Sequence, residues 1–213
     1  MVQCKPSGAG FLMIGRLGLL ICVVAVAVIP SNAADISKKY SYFGVYGKTA
    51  EDLDREIAKR GPKLKLTGTR HPGATSMEFG IKTKFAFDGK YCRVSNAYIS
   101  LNLKLTLPSW KNRTTADQDM AIMWDTLSSD IKRHEERHAI IARNHAIELE
   151  NSLESLSRNK DCKVLQAKAE KTADKILAAH AKAQADFDRV ESINFEARMT
   201  RLLGYRIERA ATK

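Results

Sequence analysis

The chain has 213 residues, of which 44% are hydrophobic and 28% are charged, and this composition excludes a disordered or collagen-like protein. It is long enough for one domain, or for one domain with an appendage. The net charge of +11 would suit a polyanionic partner, but basic and acidic residues are mixed along the sequence, so we attribute the charge mainly to solubility.

Residues 1–33 have the pattern of an export signal. Lys5 and Arg16 are the only charged residues in this stretch, and Ser31-Asn32-Ala33 ends it with the small-x-small pattern that signal peptidase accepts. We therefore predict cleavage after Ala33 or Ala34, and a periplasmic or secreted protein.

The apolar run inside that signal is short. It extends over the 14 residues 17–30, whereas a bilayer-spanning helix needs ~20. We expect no stable membrane span once the signal is removed. We also expect no nucleic-acid partner for an exported chain. Without Lys5 and Arg16, the chain has 33 basic and 24 acidic residues. The resulting net charge of +9 allows a weak association with anionic envelope polymers.

Two cysteines, Cys92 and Cys162, remain after the predicted cleavage. An exported protein meets an oxidising compartment, where an even number of cysteines usually pairs. We predict a disulfide between them.

Residues 34–110 are rich in strand signals. TSMEFGIKTKFAF and YCRVSNAYISLNLKLTLP alternate apolar and polar residues, and Asp88-Gly89 between them is a hairpin-turn sequence. A short helix is predicted between Thr49, as its N-cap, and Gly61-Pro62. The pattern predicts a small antiparallel sheet with one short helix.

Residues 114–213 contain no proline and only one glycine, which favours long helices. Asn159 and Asp161 favour a turn at 158–163. We predict an α+β fold in which residues 34–213 form a single domain, with the sheet packed against a long C-terminal antiparallel helical hairpin.

The first of these helices contains the motif H-E-x-x-H at His134, Glu135 and His138. The two histidines, together with His145, continue an apolar stripe that starts at Met120. A buried imidazole without a partner costs ~1–3 kcal/mol. Histidines in such a stripe therefore need hydrogen-bond partners or a metal ion, and both alternatives stay open at this point.

Two histidines four residues apart on one helix can bind one zinc ion, Zn²⁺. A catalytic zinc site has a third protein ligand and an open position for water, and Glu135 would serve as the general base. His145 lies about 10 Å along the helix from His138, at 1.5 Å per residue, and cannot easily be the third ligand on a straight helix. On the facing helix, His180 is the first candidate and Asp188 the second.

The order of features resembles a bacterial family of uncharacterised exported proteins that are described as predicted secreted zinc-dependent proteases. The matching segments are YFGVYGKTAEDLDREI, the Gly-Pro at 61–62, YCRVSNAYISLNLKLTLPSW, HEERHAIIARNHA and Cys162. The resemblance implies an α+β metallopeptidase-like domain in which His134 and His138 are ligands and Glu135 is the base.

One motif of that family is altered in this chain. Many members have Y-D-x-x-T-x-H-G near the C-terminus, and the corresponding stretch here is FDRVESIN, residues 187–194. Phe187 and Asp188 fit, whereas Glu191 replaces the threonine and Ile193-Asn194 replaces His-Gly. The third ligand therefore stays open between His180, Asp188 and Glu191.

The sequence thus predicts a secreted zinc-dependent metallopeptidase that hydrolyses peptide or protein substrates. The alternative is a non-catalytic envelope binding protein with a structural metal site, or with no metal. A fourth protein ligand would indicate the structural site.

Overall fold

A computed structural model describes residues 34–63 and 68–212 of the chain. The predicted export signal lies outside the described residues. The elements, in chain order, are the strands and helices β1 (Asp35–Val45), α1 (Ala50–Arg60), β2 (Ala74–Phe87), β3 (Cys92–Trp110), α2 (Gln118–Glu154) and α3 (Cys162–Ala211). The fold is α+β, as predicted. In the described part of the chain, none of the helices is both long and apolar enough to cross a membrane.

The three strands form one sheet in the order β1-β3-β2, and the sheet is mixed. β2 and β3 form the predicted antiparallel hairpin, but β1 pairs with β3 in parallel. The prediction of a purely antiparallel sheet was therefore wrong. β3 is the most apolar strand and takes the central position, where both of its edges are paired; the more polar β1 lies at the edge. The buried residues of β3 include Ala97, Ile99, Leu101, Leu103 and Leu105.

Local signals in the first part of the chain act as the sequence predicts. Thr49 is the N-cap of α1 and forms a capping box with Asp52. The β2–β3 turn contains Gly89 at φ +91°, a backbone conformation that favours glycine.

The predicted disulfide joins Cys92 at the start of β3 to Cys162 at the start of α3, with Cα atoms 5.2 Å apart. Beside it, Cys92 and Asn159 exchange backbone hydrogen bonds of 2.6 and 2.9 Å. The turn between the two long helices is thereby attached to the sheet.

α2 and α3 form the predicted antiparallel hairpin. Arg198 of α3 contacts Asp130 near the start of α2, and Gln184 contacts His138 farther along. α2 lies on the sheet and contributes Ala139, Ala142, Ala146, Leu149 and Leu153 to the main core. Trp110 packs against Trp124 in a second cluster at the other end.

The buried face of α2 is rotated relative to the predicted stripe. Its centre is formed by small residues, which allow a close approach to the sheet, and by Glu135, which is only 5% exposed. The histidines of the stripe are half-buried and lie at the border of this face. His134 and His138 therefore point along the groove between α2 and α3 rather than into the sheet.

Candidate metal centre

His134, His138 and Asp188 form a compact cluster of possible metal ligands. Nε2 of His134 lies 3.0 Å from Nε2 of His138. Oδ1 of Asp188 lies 3.3 Å from the first of these atoms and 2.9 Å from the second. The two histidines are one helical turn apart on α2, and Asp188 comes from the facing helix α3, because the hairpin is antiparallel.

The other ring nitrogens of both histidines have partners. Nδ1 of His138 lies 2.5 Å from Oε1 of Gln184. That oxygen can only accept, so Nδ1 is the donor, and Nε2 is the nitrogen left to bind a metal. Nδ1 of His134 lies 3.6 Å from Oε2 of Glu191. Both rings also contact Phe187, with centroids 4.9 and 5.0 Å away. The histidine rings are therefore held with Nε2 turned towards Asp188.

This arrangement fits a zinc ion. Ligand atoms at 2.0–2.1 Å from zinc, in tetrahedral geometry, are about 3.3 Å from one another. The three measured separations of 2.9 to 3.3 Å come within a few tenths of an ångström of that value. Two imidazoles and a carboxylate are also a donor set that zinc accepts.

Glu135 lies on the sheet side of the same turn of α2. Its Oε2 is 2.8 Å from the hydroxyl of Thr75 on β2, and that hydroxyl is also 3.0 Å from the backbone oxygen of Glu135. The backbone of Gly73 approaches the carboxylate closely, since a Cβ there would lie 2.8 Å from Oε1. The glutamate of the motif is thus held between α2 and the start of β2.

Burial changes the pKa of two groups in the motif. Burial is the main reason why the pKa of Glu135 is raised; the Thr75 hydrogen bond opposes this effect. The pKa of His134 is lowered, first by burial and then by His138, although Asp188 and Glu191 oppose the change. His134 therefore favours the neutral form, which is the form that binds metals.

An acid–arginine network closes the groove beyond the cluster. The guanidinium of Arg198 donates to both oxygens of buried Asp130, at 2.9 and 3.1 Å, and lies 3.1 Å from Glu191. Arg133 contacts the same two carboxylates. Burial acts to raise the pKa of Asp130 and Glu191, but the arginines more than offset it and both pKa values are lowered. Glu191 is therefore engaged by arginines and faces Nδ1 of His134, away from the cluster.

A cavity of about 590 Å³ opens onto these residues. A volume of this size is within the usual range for ligand sites. Its walls come from the loop before β2, from the first residues of β2, and from α2 and α3, and they include His71, Thr75, Glu135, His138 and Phe195. Among the described residues, the start of β2 and the helix α3, both distant from the motif in sequence, therefore meet the motif of α2 at this cavity.

The structure places the remaining histidines outside the cluster. His180, the first candidate for the third ligand, has Nε2 2.8 Å from Nε2 of Gln184, and its ring contacts those of Phe79 and His145. His145 has Nδ1 2.8 Å from the backbone oxygen of Ile141. In the described part of the chain, the group of possible ligands that includes the motif histidines has Asp188 as its third member.

Sequence reasoning did not find Gln184, Thr75 or Gly73. Gln184 is the nearest to predictable, because it lies on the part of α3 that the hairpin places opposite the motif. Thr75 and Gly73 lie 60 and 62 residues before Glu135, and their only signal is the Pro72-Gly73 turn beside His71.

A family model described as bacterial protein of unknown function, DUF922, matches residues 40–195. The match includes the motif, Gln184 and Asp188. No curated protein matches the chain. No solved structure matches it either.

Proposed function

The chain belongs to this bacterial family, and from the convergence of His134, His138 and Asp188 beside Glu135 we propose that it is an exported zinc-dependent peptidase. His134 and His138 bind the zinc ion through Nε2, and Asp188 is the third ligand. Asp188 is preferred over His180 because its carboxylate lies within 3.3 Å of both Nε2 atoms.

Among the described residues, three possible ligands rather than four meet here, which favours a catalytic over a structural zinc site. A structural zinc site is closed by a fourth protein ligand, whereas a catalytic site has three. A further carboxylate beside the cluster, that of Glu191, faces the opposite nitrogen of His134 and is engaged by Arg133 and Arg198. His134, His138 and Asp188 all line the cavity, so a zinc ion held by them would be accessible from it.

A bound zinc supplies Lewis-acid chemistry, in that it acidifies a water molecule and polarises a carbonyl. Glu135 accepts a proton from the attacking water and passes it to the leaving nitrogen. The hydroxyl of that water ends on the carbonyl carbon, so one water is consumed for each peptide bond broken. Thr75 keeps the carboxylate of Glu135 oriented through its 2.8 Å contact.

The position of β2 supports a peptide as the substrate. β2 is an outer strand of the three-stranded sheet, so one of its edges is not paired with another of the described strands. Ala74, Thr75 and Met77 at its start line the cavity. An extended peptide can add to such an edge through backbone hydrogen bonds, and this would bring a scissile bond next to Glu135.

The test compares Glu135→Gln with Glu136→Gln in the purified mature protein. Glu136 is adjacent in sequence but contacts Lys38 and Tyr40 outside the cavity. We expect one zinc per chain in both variants, and a loss of about 10²–10⁴-fold in the hydrolysis of an unfolded protein substrate for Glu135→Gln only. Unchanged hydrolysis by Glu135→Gln would overturn the assignment of the base. A zinc-loaded wild type that hydrolyses no member of a peptide library would favour the structural alternative.

A further inference from the structure

The cavity extends past the metal cluster, between the two long helices. Ile131 lies on α2 three residues before His134, and Phe195 lies on α3 seven residues after Asp188. Because the helices are antiparallel, both positions are displaced from the cluster in the same direction, by about 5 and about 10 Å at 1.5 Å per residue. Both side chains line the cavity. The cavity therefore continues for one to two helical turns beyond the ligands.

Contacts between the elements place these side chains at one end of the cavity. The guanidinium of Arg198 donates to Asp130, the residue before Ile131, and lies 5.8 Å from the centroid of the Phe195 ring. On the loop before β2, a methyl group on Gly73 would lie 2.9 Å from Cγ2 of Ile131. We call the space between Gly73, Ile131 and Phe195 the apolar end.

The charged groups beside the apolar end neutralise one another. Asp130 and Glu191 supply two negative charges, and Arg133 and Arg198 supply two positive charges. Arg198 donates to both oxygens of Asp130 at 2.9 and 3.1 Å, and Arg133 donates to one of them at 2.9 Å. Both arginines also contact Glu191. The network therefore has no net charge, and its four side chains are already paired with one another.

A neutral, paired network offers no partner to a charged side chain of a substrate. Such a side chain would lose water without gaining an opposite charge, which is costly. An apolar side chain has no such cost, and it gains free energy when it leaves water. The ring of Phe195 is 44% exposed, so it has apolar surface left for a ligand to cover. Shape and charge therefore both favour an apolar occupant.

We propose that the apolar end binds a large apolar side chain, such as that of Phe or Leu, from one of the two residues that flank the scissile bond. Neighbouring Cα atoms are about 3.8 Å apart, so the side chain of a flanking residue reaches this end from a peptide bond held at the cluster. Phe195 is the specificity-determining residue. The inference rests on the proposed peptidase function, and it narrows the substrates to unfolded or partly folded polypeptides, whose large apolar side chains are exposed.

The first test measures kcat/KM for internally quenched peptides that differ in one residue beside the cleaved bond. We expect the wild type to prefer Phe and Leu peptides over the Ala peptide by at least about 10-fold, as is usual for an apolar pocket. Lys and Glu peptides should be no better than the Ala peptide. A wild type that cleaves all of these peptides equally well, with either flanking residue varied, would overturn the proposal.

Replacement of Phe195 with Ala tests the specificity residue itself. This variant should lower kcat/KM for the Phe and Leu peptides about 10-fold more than for the Ala peptide, and Phe195→Leu should restore most of the preference. Ile193→Ala is the matched control, because Ile193 lies on the same helix, is 73% exposed and is not part of the cavity wall. Equal losses for all peptides in Phe195→Ala would show general damage and overturn the role of Phe195.

The second test does not depend on hydrolysis. Fluorescence anisotropy measures the binding of the same peptides, labelled with a dye, to the zinc-loaded Glu135→Gln protein with and without Phe195→Ala. We expect tighter binding of the Phe and Leu peptides, and a loss of this preference in the double variant. Equal binding of all peptides would overturn the apolar end. If the preference in binding is present but the wild type cleaves no peptide, the peptidase proposal fails and the apolar end remains as a binding site.

Discussion

Nδ1 of His138 on α2 donates to Oε1 of Gln184 on α3, across 2.5 Å. The amide nitrogen of the same side chain lies 3.1 Å from the backbone oxygen of His138, so Gln184 contacts this residue at two points. The partner that fixes a ligand's tautomer is thus supplied by the opposite helix of the hairpin.

Replacement of Gln184 with Leu should weaken zinc binding by about 10–100-fold, as is usual when the outer partner of a histidine ligand is lost. The physical reason is that Nδ1 of His138 loses its acceptor and the ring loses its orientation. The measurement is a competitive zinc titration of the purified variant. Gln166→Leu is the control, because Gln166 is exposed on the same helix and, among the described residues, bonds to Glu170. Equal affinities for both variants would contradict the role of Gln184.

The choice of third ligand predicts a difference between two alanine variants. Asp188→Ala removes a carboxylate oxygen within 3.3 Å of both histidine Nε2 atoms. Its zinc affinity should therefore fall further than that of a variant that loses only the hydrogen-bond partner of a ligand, for which the loss is about 10–100-fold. His180→Ala removes contacts with Gln184, Phe79 and His145 but no atom of the cluster, so this variant should bind zinc more tightly than Asp188→Ala. The opposite order, measured by the same titration, would restore His180 as the ligand.

Much of the fold could be predicted, because its signals are local. The β2–β3 hairpin follows from the alternation on either side of Asp88-Gly89, and the helical hairpin follows from the turn residues near Asn159. The parallel pairing of β1 could not be predicted, because it depends on which strand takes the centre of the sheet. Adjacent segments of sequence contain no information on that choice.

The motif was predictable, but its surroundings were not. Counting residues at steps of three and four along α2 predicted that the histidines face the core. In the structure, α2 comes closest to the sheet at the small residues 139, 142 and 146, so its buried face is rotated by part of a turn relative to the prediction. Glu135 thereby became the most buried residue of the motif. Thr75 and Gly73 reach it through the tertiary fold, over about 60 residues of sequence.

Gly73→Ala should damage the site. The added methyl group would lie 2.8 Å from Oε1 of Glu135 and 2.9 Å from Cγ2 of Ile131, so the loop or the helix must shift. Overpacking of this kind costs about 1–3 kcal/mol of unfolding free energy, and hydrolysis should fall further because Glu135 is displaced.

Gly204→Ala is the matched glycine control and should have the opposite effect on stability. Gly204 lies within α3, and no atom of the described residues outside the neighbouring helix backbone comes within 4 Å of its added methyl group. Alanine in a helix interior stabilises it by about 0.5–1 kcal/mol relative to glycine. Urea unfolding measures both variants, and a Gly73→Ala protein as stable and active as wild type would refute the close approach.

Removal of the disulfide should destabilise the fold without abolishing the metal site. Cys92 and Cys162 are separated by 70 residues, and a loop of that length corresponds to about 4 kcal/mol in the chain-entropy model. The double variant Cys92→Ala, Cys162→Ala should therefore unfold at a lower urea concentration, while its folded form still binds zinc. A urea midpoint equal to that of the oxidised wild type would contradict this expectation.

The most direct test of the metal centre is a calorimetric titration of zinc into the metal-free mature protein. We predict one zinc ion per chain for the wild type and for His145→Ala, because the ring of His145 contacts the backbone of its own helix and the ring of His180 rather than the cluster. We predict no specific binding for the double variant His134→Ala, His138→Ala. A wild type that binds no zinc, or a double variant that binds it as tightly as the wild type does, would contradict the account.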